Sequence, residues 1–155
     1  MQKRTILLAD DDSDDTAMFC EALNSINSDI VCQTAVNGSE LLNKLNTLEE
    51  KPALIFLDLN MPVMDGWQCL KHLKEDQQYR DIPVIMISTS SHKKEMDLAI
   101  KLGALCYFVK PYHFNDLRQL LHTITENLGS RLKKLLHELQ AHNSGQIFTC
   151  ADDLN

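Results

Sequence analysis

The fold is decided by an apolar run that ends abruptly in acids, Ile6-Leu7-Leu8-Ala9-Asp10-Asp11-Asp12-Ser13-Asp14-Asp15. Its apolar half is typical of a strand that is buried on both faces. Ser13 or Asp12 is placed to cap a helix that follows. Two like charges about 4 Å apart repel by about 4 kcal/mol at an effective dielectric constant of about 20. Either a cation accompanies these carboxylates, or they are spread over a solvated turn.

Short apolar runs alternate with segments of helical periodicity along the rest of the chain. Five runs are strand candidates, at residues 5–9, 30–35, 53–57, 84–87 and 105–109. A segment with apolar residues at helical spacing follows each of them. Strands joined by helices in this order predict an α/β fold, with a five-stranded parallel sheet covered by helices on both faces.

Polar residues follow four of the predicted strands, where ligands bind in sheets of this kind. They are Asp10 and Asp11, Asp58, Ser88 and Lys110. Three carboxylates suit Mg²⁺, which prefers a few carboxylates and several waters. Lys110 suits a phosphoryl oxygen, and Ser88 is a hydroxyl donor for another. Asp58 stands alone at the middle strand, so it is the better candidate for a carboxylate nucleophile in phosphoryl transfer.

Four motifs, in this order and spacing, resemble the receiver domain of two-component response regulators, close to the single-domain chemotaxis type. They are Ile6-Leu7-Leu8-Ala9-Asp10-Asp11-Asp12, Leu57-Asp58-Leu59-Asn60-Met61-Pro62-Val63-Met64-Asp65-Gly66, Pro83-Val84-Ile85-Met86-Ile87-Ser88-Thr89-Ser90 and Tyr107-Phe108-Val109-Lys110-Pro111. The resemblance covers roughly residues 3–128. It implies a flavodoxin-like doubly wound sheet of strand order 2-1-3-4-5 with five helices, to which this chain adds a C-terminal helical extension.

The resemblance also implies a metal site. Asp58 would be the phosphoacceptor, and it would hold Mg²⁺ together with Asp11 and the backbone carbonyl of Asn60. Asp10, where the family often has Glu, would act partly through water. Asn60 and Ser90 resemble the variable pair that tunes how long the acyl phosphate survives.

The remaining implied roles concern the phosphoryl group and the response to it. Ser88 would bond a phosphoryl oxygen and Lys110 would pair with another. The peptide bond between Lys110 and Pro111 would be cis, a form that X-Pro bonds adopt at low cost. Tyr107 would be the aromatic switch that turns inward when Ser88 moves toward the phosphate. The alternative is that Tyr107 is a static, half-buried ring.

The implied function is that of a bacterial, cytoplasmic single-domain response regulator. It would take a phosphoryl group from a sensor histidine kinase or a histidine phosphotransfer protein and then contact a downstream protein. It would not be an enzyme beyond self-catalysed aspartyl phosphorylation and autodephosphorylation. One alternative is a haloacid-dehalogenase-like phosphatase, although the segment 10–14 lacks that family's Thr or Val ending. The other is a receiver-like binding module that never cycles phosphate.

Acids in the first helical turn have a simpler explanation. We expect Asp12, Asp14 and Asp15 to be solvated carboxylates that suit the positive end of a helix dipole. The stretch also approaches a calcium-loop pattern, but Asp15 stands where that loop needs glycine. Trp67 is expected to pack at a helix start beside the site.

Composition excludes several other classes. A formal net charge of −7 with no basic face argues against nucleic-acid binding. No apolar run has the length of a membrane span, and the N-terminal one is too short for a signal peptide. Five cysteines, without a C-x-x-C pair, argue against a zinc site or a disulfide framework. We expect them to be small core residues in a reducing cytoplasm: Cys20, Cys32, Cys69, Cys106 and Cys150.

The segment 129–155 is expected to be a helical extension and polar tail, without a separate output domain. Leu132, Leu135, Leu136 and Leu139 continue an apolar stripe beyond Gly129. Either the fifth helix runs on, or a second short helix begins near residue 130. Because the stripe is too short to be stable alone, it should dock on the receiver or on a second copy in a homodimer. Residues 142–155 are expected to form a poorly ordered tail.

Overall fold

Strands and helices alternate along most of the chain, and two helices follow each other near its C-terminal end. The computed structural model describes residues 3–26 and 29–142 and the backbone of 147–149. The elements are β1 (Arg4–Ala9), α1 (Ser13–Ile26), β2 (Ile30–Ala35), α2 (Gly38–Thr47), β3 (Leu54–Asp58), α3 (Gly66–Glu75), β4 (Val84–Ser88), α4 (Lys93–Lys101), β5 (Cys106–Val109), α5 (Phe114–Glu126), α6 (Leu132–His142) and β6 (Ile147–Thr149). Within these ranges no helix has the length and apolar character needed to cross a membrane.

The first five strands form the parallel sheet that the sequence pattern predicted, in the order β2-β1-β3-β4-β5 that the resemblance implied. Their register aligns the strand ends. Ala9 is opposite Leu57, and Ser88 is opposite Val109. The residues just beyond these positions therefore emerge at one edge of the sheet, which is where the candidate site residues lie.

A sixth strand was not predicted. β6 pairs antiparallel with β5, so that Ile147 is opposite Phe108 and Thr149 is opposite Cys106. The expectation of a polar, poorly ordered tail over 142–155 is therefore wrong for residues 147–149. A strand of three residues is too short to give a periodic signal, and its pairing with an edge strand uses backbone groups that the side-chain pattern does not reveal.

Each face of the sheet carries its own core. Alternate residues of a strand point to opposite faces, so Leu7 and Leu57 pack with residues of α2, α3 and α4. Leu8 and Phe56 pack on the other face with residues of α1, α5 and α6. There the rings of Phe19 and Phe56 meet edge to face, with centroids 4.8 Å apart. Burial on both faces explains the continuous apolar strands.

Side-chain caps fix where three of the helices begin. The Asp12 carboxylate accepts the first free backbone N–H groups of α1. Asn37 caps α2 in the same way, and Asp65 forms a capping box with Gln68 at α3. Gly103, directly after the C-cap of α4, has a φ of 106°, the left-handed region that favours glycine. Of these signals, the cap of α1 was predicted from the sequence, as Ser13 or Asp12, and the structure assigns it to Asp12.

The C-terminal stripe forms a separate helix that docks on the receiver. α5 ends at Glu126, and α6 begins at Leu132. Leu132 and Leu136 are 2% and 0% exposed and belong to the core between the sheet, α1 and α5. Of the two alternatives for this segment, the second short helix is therefore the one observed.

Truncating one leucine of α6 tests how much this docking contributes. We expect Leu136→Ala to lower the free energy of unfolding by about 2 kcal/mol, the low end for a buried leucine, because a peripheral helix can partly close the cavity. Urea denaturation measures the change. Leu135→Ala on the same helix is the matched control, since Leu135 is only partly buried. Equal losses in the two variants would contradict a docked role for Leu136.

Candidate functional site

Three carboxylates converge at the edge of the sheet where the strands end. Asp10 follows β1, and Asp58 is the last residue of β3. One carboxylate oxygen each from Asp10, Asp11 and Asp58 lies within 4.8 Å of the other two. Asp10 and Asp58 are buried, whereas Asp11 is exposed. Asp58 thus lies close to the pair Asp10 and Asp11, although it is far from them in the chain.

The donor set fits a hard divalent cation. All three ligand groups are carboxylate oxygens, which Mg²⁺ prefers, and exposed Asp11 leaves room for the waters that Mg²⁺ keeps. The backbone hydrogen bond that the Asp10 carboxylate accepts from Asp12 N–H orients one of its oxygens. The remaining Asp10 oxygen faces Lys110.

Burial controls the charge of Asp58. It raises the pKa of this carboxyl to about 6; nearby Lys110 lowers the pKa, and nearby Asp10 raises it. The ionised form is therefore disfavoured without another positive charge. A cation held by the three carboxylates would supply that charge and keep Asp58 ionised.

Lys110 is shared among the carboxylates. Its Nζ lies 3.0 Å from Asp10 Oδ2, 3.0 Å from Asp15 Oδ2 and 3.5 Å from Asp58 Oδ2. Burial lowers the pKa of Lys110, but its hydrogen bonds to Asp15 and Asp10 and the charges of nearby carboxylates together raise the pKa by more, so the net pKa lies above the usual range. Lys110 is therefore a fixed cation beside the candidate nucleophile.

The expected cis peptide bond is absent from the described part of the chain. The bond between Lys110 and Pro111 is trans, so that expectation is wrong. The trans form of an X-Pro bond is cheaper by about 0.5–1 kcal/mol. With this bond trans, Lys110 N–H donates to the Ser88 carbonyl, and its side chain still reaches Asp10.

Ser88, Ser90 and Tyr107 form a hydrogen-bonded chain that leads away from Asp58. Ser88 is buried at the end of β4, and its Oγ accepts the N–H of Ser90 at 3.0 Å. The Tyr107 hydroxyl donates to the Ser90 carbonyl at 2.8 Å, and its oxygen is 3.3 Å from Glu95 Oε2 on α4. The Tyr107 ring is fully buried rather than half-buried.

The loop after β3 is held against the start of α3. Asn60, two residues beyond Asp58, is exposed. Gly66 donates its N–H to the Leu59 carbonyl, and a Cβ on Gly66 would lie 2.2 Å from the Asp58 carbonyl oxygen. Trp67 follows Gly66 and packs partly buried against the core, as expected. The close approach of Gly66 to the Asp58 backbone fixes the position of Asp58 relative to α3.

Asp15 is the site residue that sequence reasoning missed. It was expected to be a solvated first-turn acid, yet its carboxylate pairs with Lys110 while its side chain remains 38% exposed. The available signal was its place in the first turn of α1, which starts at the same sheet edge as the strand-end residues. The helix-dipole explanation was sufficient for a carboxylate there, so the pairing was not considered. Asp12, by contrast, acts as a helix cap.

Comparison with known families gives one match that spans most of the chain. The model described as the response regulator receiver domain matches residues 6–122. Among curated relatives, the chain is 32% identical over 119 residues to chemotaxis protein CheY1 of Helicobacter pylori, covering 77% of this chain and 94% of that protein. It is 31% identical over 116 residues to the probable C4-dicarboxylate response regulator DctR of Bacillus subtilis, covering 75% and 50%. The chain thus spans only half of DctR, and 32% to 57% of the first three curated relatives.

Solved structures show the same architecture. The phosphorylated cyanobacterial phytochrome response regulator RcpA superposes with a TM-score of 0.75 at 29% identity, covering 83% of this chain and 95% of that one. The Mn²⁺-bound form of response regulator Rcp1 superposes with a TM-score of 0.68 at 26% identity, covering 79% and 92%.

Proposed function

The chain belongs to the response regulator receiver family, and from this premise we propose that it accepts a phosphoryl group on Asp58 with Mg²⁺ bound. It then signals through contacts with other proteins. The observation that carries the proposal is the convergence of Asp10, Asp11 and Asp58 beside Lys110. The chemistry is self-catalysed phosphorylation and autodephosphorylation, without turnover of an external substrate.

The metal site would use Asp10, Asp11 and Asp58, with the backbone carbonyl of Asn60 as a further ligand. Bound Mg²⁺ would neutralise charge on the carboxylates and on the phosphoryl oxygens. A carboxylate oxygen of Asp58 attacks the phosphorus of a phosphohistidine. The new O–P bond forms as the P–N bond breaks, and the imidazole leaves. Hydrolysis of the acyl phosphate by water restores the Asp58 carboxylate.

Two more side chains stabilise the phosphoryl group. Lys110 pairs with a phosphoryl oxygen, because its Nζ is already 3.5 Å from the Asp58 carboxylate. Ser88 Oγ accepts the Ser90 N–H, which leaves the Ser88 hydroxyl proton available to another phosphoryl oxygen. Asn60 and Ser90 border the site, and we infer that they tune the acyl-phosphate lifetime.

Tyr107 connects phosphorylation of the site to a change at the protein surface. When Ser88 moves toward the phosphoryl group, the loop that contains Ser90 follows, and the Ser90 carbonyl is a hydrogen-bond partner of Tyr107. Tyr107 also contacts Glu95 on α4. A shift of the loop therefore changes the surface formed by α4, β5 and α5, to which a downstream protein would bind.

Exposed apolar side chains near the site support a protein as the phosphoryl donor. Val36, Val63 and Tyr112 are 53%, 83% and 88% exposed and lie on loops that follow β2, β3 and β5. These loops are at the same sheet edge as Asp58. We infer a docked sensor histidine kinase or histidine phosphotransfer protein, in the setting of a bacterial cytoplasmic two-component pathway.

A small-molecule phosphodonor tests the proposal without knowledge of the kinase. Acetyl phosphate with Mg²⁺ should add one phosphoryl group to the intact protein, and peptide mapping by mass spectrometry should place it on Asp58. Chelation of Mg²⁺ should prevent the reaction. Failure of both acetyl phosphate and beryllofluoride to modify or perturb the protein would contradict the proposal and favour a phosphate-independent binding module. Sustained turnover of a phosphate ester would contradict it in favour of a phosphatase.

Asp15 should restrain Lys110 in the unphosphorylated protein, because the Asp15 carboxylate competes with the phosphoryl group for Lys110. We expect Asp15→Asn to phosphorylate about fivefold faster with acetyl phosphate, as a partly exposed ion pair is worth about 1 kcal/mol. Stopped-flow fluorescence of Trp67 measures the rate.

Asp14→Asn is the matched control for this variant. It removes the same charge from the same helical turn, and Asp14 is not among the three carboxylates that pair with Lys110 in the described structure. Equal acceleration in both variants would indicate a bulk charge effect and contradict the restraint.

A further inference from the structure

Two cysteines from neighbouring elements meet on the side of the sheet that β2 borders. Cys20 lies on α1, and Cys32 lies on β2, the terminal strand of the sheet at that side. Their sulfur atoms are 2.8 Å apart, and one thiol hydrogen-bonds to the other. A disulfide needs a separation of about 2.05 Å. The two thiols are therefore within about 1 Å of covalent bonding distance.

The contact also makes the two thiols unequal. The hydrogen bond with Cys32 lowers the pKa of Cys20, while burial raises it, and the net pKa is below the usual value. The same hydrogen bond raises the pKa of Cys32. Because the thiolate is the nucleophile, Cys20 is the residue to react first, and Cys32 is positioned to resolve the product.

Small oxidants can reach this pair. Both thiols are partly exposed, and Cys20 lines an open groove with Thr16 and Thr34 that extends to Asp11. Cys69 and Cys106, by contrast, are 0% exposed, and burial raises the pKa of Cys69 to about 12. The chain thus contains two buried, protected thiols as internal controls.

We propose that Cys20 and Cys32 form a reversible intramolecular disulfide that joins α1 to β2 when a hydroperoxide oxidises the pair. The Cys20 thiolate attacks a peroxide oxygen, the O–O bond breaks, and Cys20 becomes a sulfenic acid. Cys32 sulfur then attacks Cys20 sulfur, and water leaves. In total, two thiols and one hydrogen peroxide give one disulfide and two waters. A dithiol reverses the reaction by thiol–disulfide exchange.

Peptide mapping of the full chain tests the proposal independently of phosphoryl transfer. The folded protein is treated with hydrogen peroxide, and remaining thiols are alkylated after denaturation. Cleavage after Glu21 separates the two cysteines. We expect a linked Cys20–Cys32 peptide pair, two hydrogens lighter than the reduced peptides, that dithiothreitol separates. Cys69 and Cys106 should be recovered alkylated. Cys150→Ser, which removes a thiol outside the described residues, should give the same result.

Single variants separate the two roles. Cys32→Ser should accumulate a sulfenic acid on Cys20 that dimedone traps. Cys20→Ser should oxidise at Cys32 at least about tenfold more slowly than wild type oxidises at Cys20. Recovery of both Cys20 and Cys32 alkylated, or disulfide linkage of any other pair in their place, would overturn the proposal. The wild-type peptide map decides between these outcomes even if a serine variant folds poorly.

Discussion

Replacing Asp58 by asparagine should abolish incorporation of phosphate from acetyl phosphate, because an amide is not a nucleophile for phosphoryl transfer. The same variant should be more stable than wild type in the absence of divalent metal at pH 7, by about 3 kcal/mol. The reason is that burial raises the pKa of Asp58 to about 6, and each pKa unit corresponds to about 1.4 kcal/mol. Mass spectrometry and urea denaturation in chelator measure the two effects.

The pH dependence of the stability difference has a definite sign. The pKa of Asp58 is higher in the folded protein than its ordinary value of 3.8, so the folded state holds the proton more tightly. Below about pH 4 the Asp58 carboxyl is protonated in both the folded and the unfolded state, so its burial does not lower the free energy of unfolding. As pH rises from about 4 to about 6, the unfolded state loses this proton while the folded state keeps it, so the folded state loses stability until Asp58 ionises there as well. Asp58→Asn removes that loss.

The control for this prediction is Asp14→Asn, which removes an exposed carboxylate near the same site. Its stability should stay parallel to that of wild type between pH 4 and pH 7, two values chosen as roughly bracketing the titration of Asp58. Added Mg²⁺ should narrow the gap between wild type and Asp58→Asn. A gap that does not change with pH would contradict the assigned burial effect.

Gly66→Ala should damage both the fold and the site. The new Cβ would lie 2.2 Å from the Asp58 carbonyl oxygen and 3.0 Å from Leu59 Cα. Both are backbone atoms, so no side chain can rotate away. We expect a loss of about 3 kcal/mol in the free energy of unfolding and about a tenfold or greater loss of Mg²⁺ affinity, because Asp58 must move. Urea denaturation and Mg²⁺ titration followed by Trp67 fluorescence measure these losses.

Gly129→Ala is the matched control. Gly129 has a φ of 99°, but nothing lies within 4 Å of a Cβ placed there. The variant should lose about 1 kcal/mol through backbone strain alone and should bind Mg²⁺ like wild type. If Gly66→Ala behaves like Gly129→Ala in both measurements, the close packing of α3 on β3 does not position Asp58.

The sequence was sufficient to predict the position of a residue wherever that position followed from the residue's own helix or strand. Asp58 and Ser88 follow apolar runs, and parallel connectivity alone brings such strand ends to one edge. The cap of α1 was predicted as Ser13 or Asp12, and Asp12 is the residue observed, because a capping side chain bonds to backbone only two or three residues away. For these features local pattern and topology are enough.

Features that depend on side-chain direction across two elements were not predictable. Asp15 pairs with Lys110, 95 residues away, and helical periodicity gives no sign of that partner. Cys20 and Cys32 were dispersed in the sequence and meet only because α1 packs beside β2. The hydrogen bond from the Tyr107 hydroxyl to the Ser90 carbonyl likewise depends on the conformation of the β4–α4 loop, which no sequence motif fixed.

The strand β6 has a consequence for self-association. A sheet whose last strand presents unpaired backbone groups can recruit another chain and grow into an aggregate. β6 covers β5 and replaces its four residues with a strand of only three. An edge strand of three residues offers few unpaired backbone groups to a neighbouring molecule. This short edge should help to keep separate chains from polymerising through this side of the sheet.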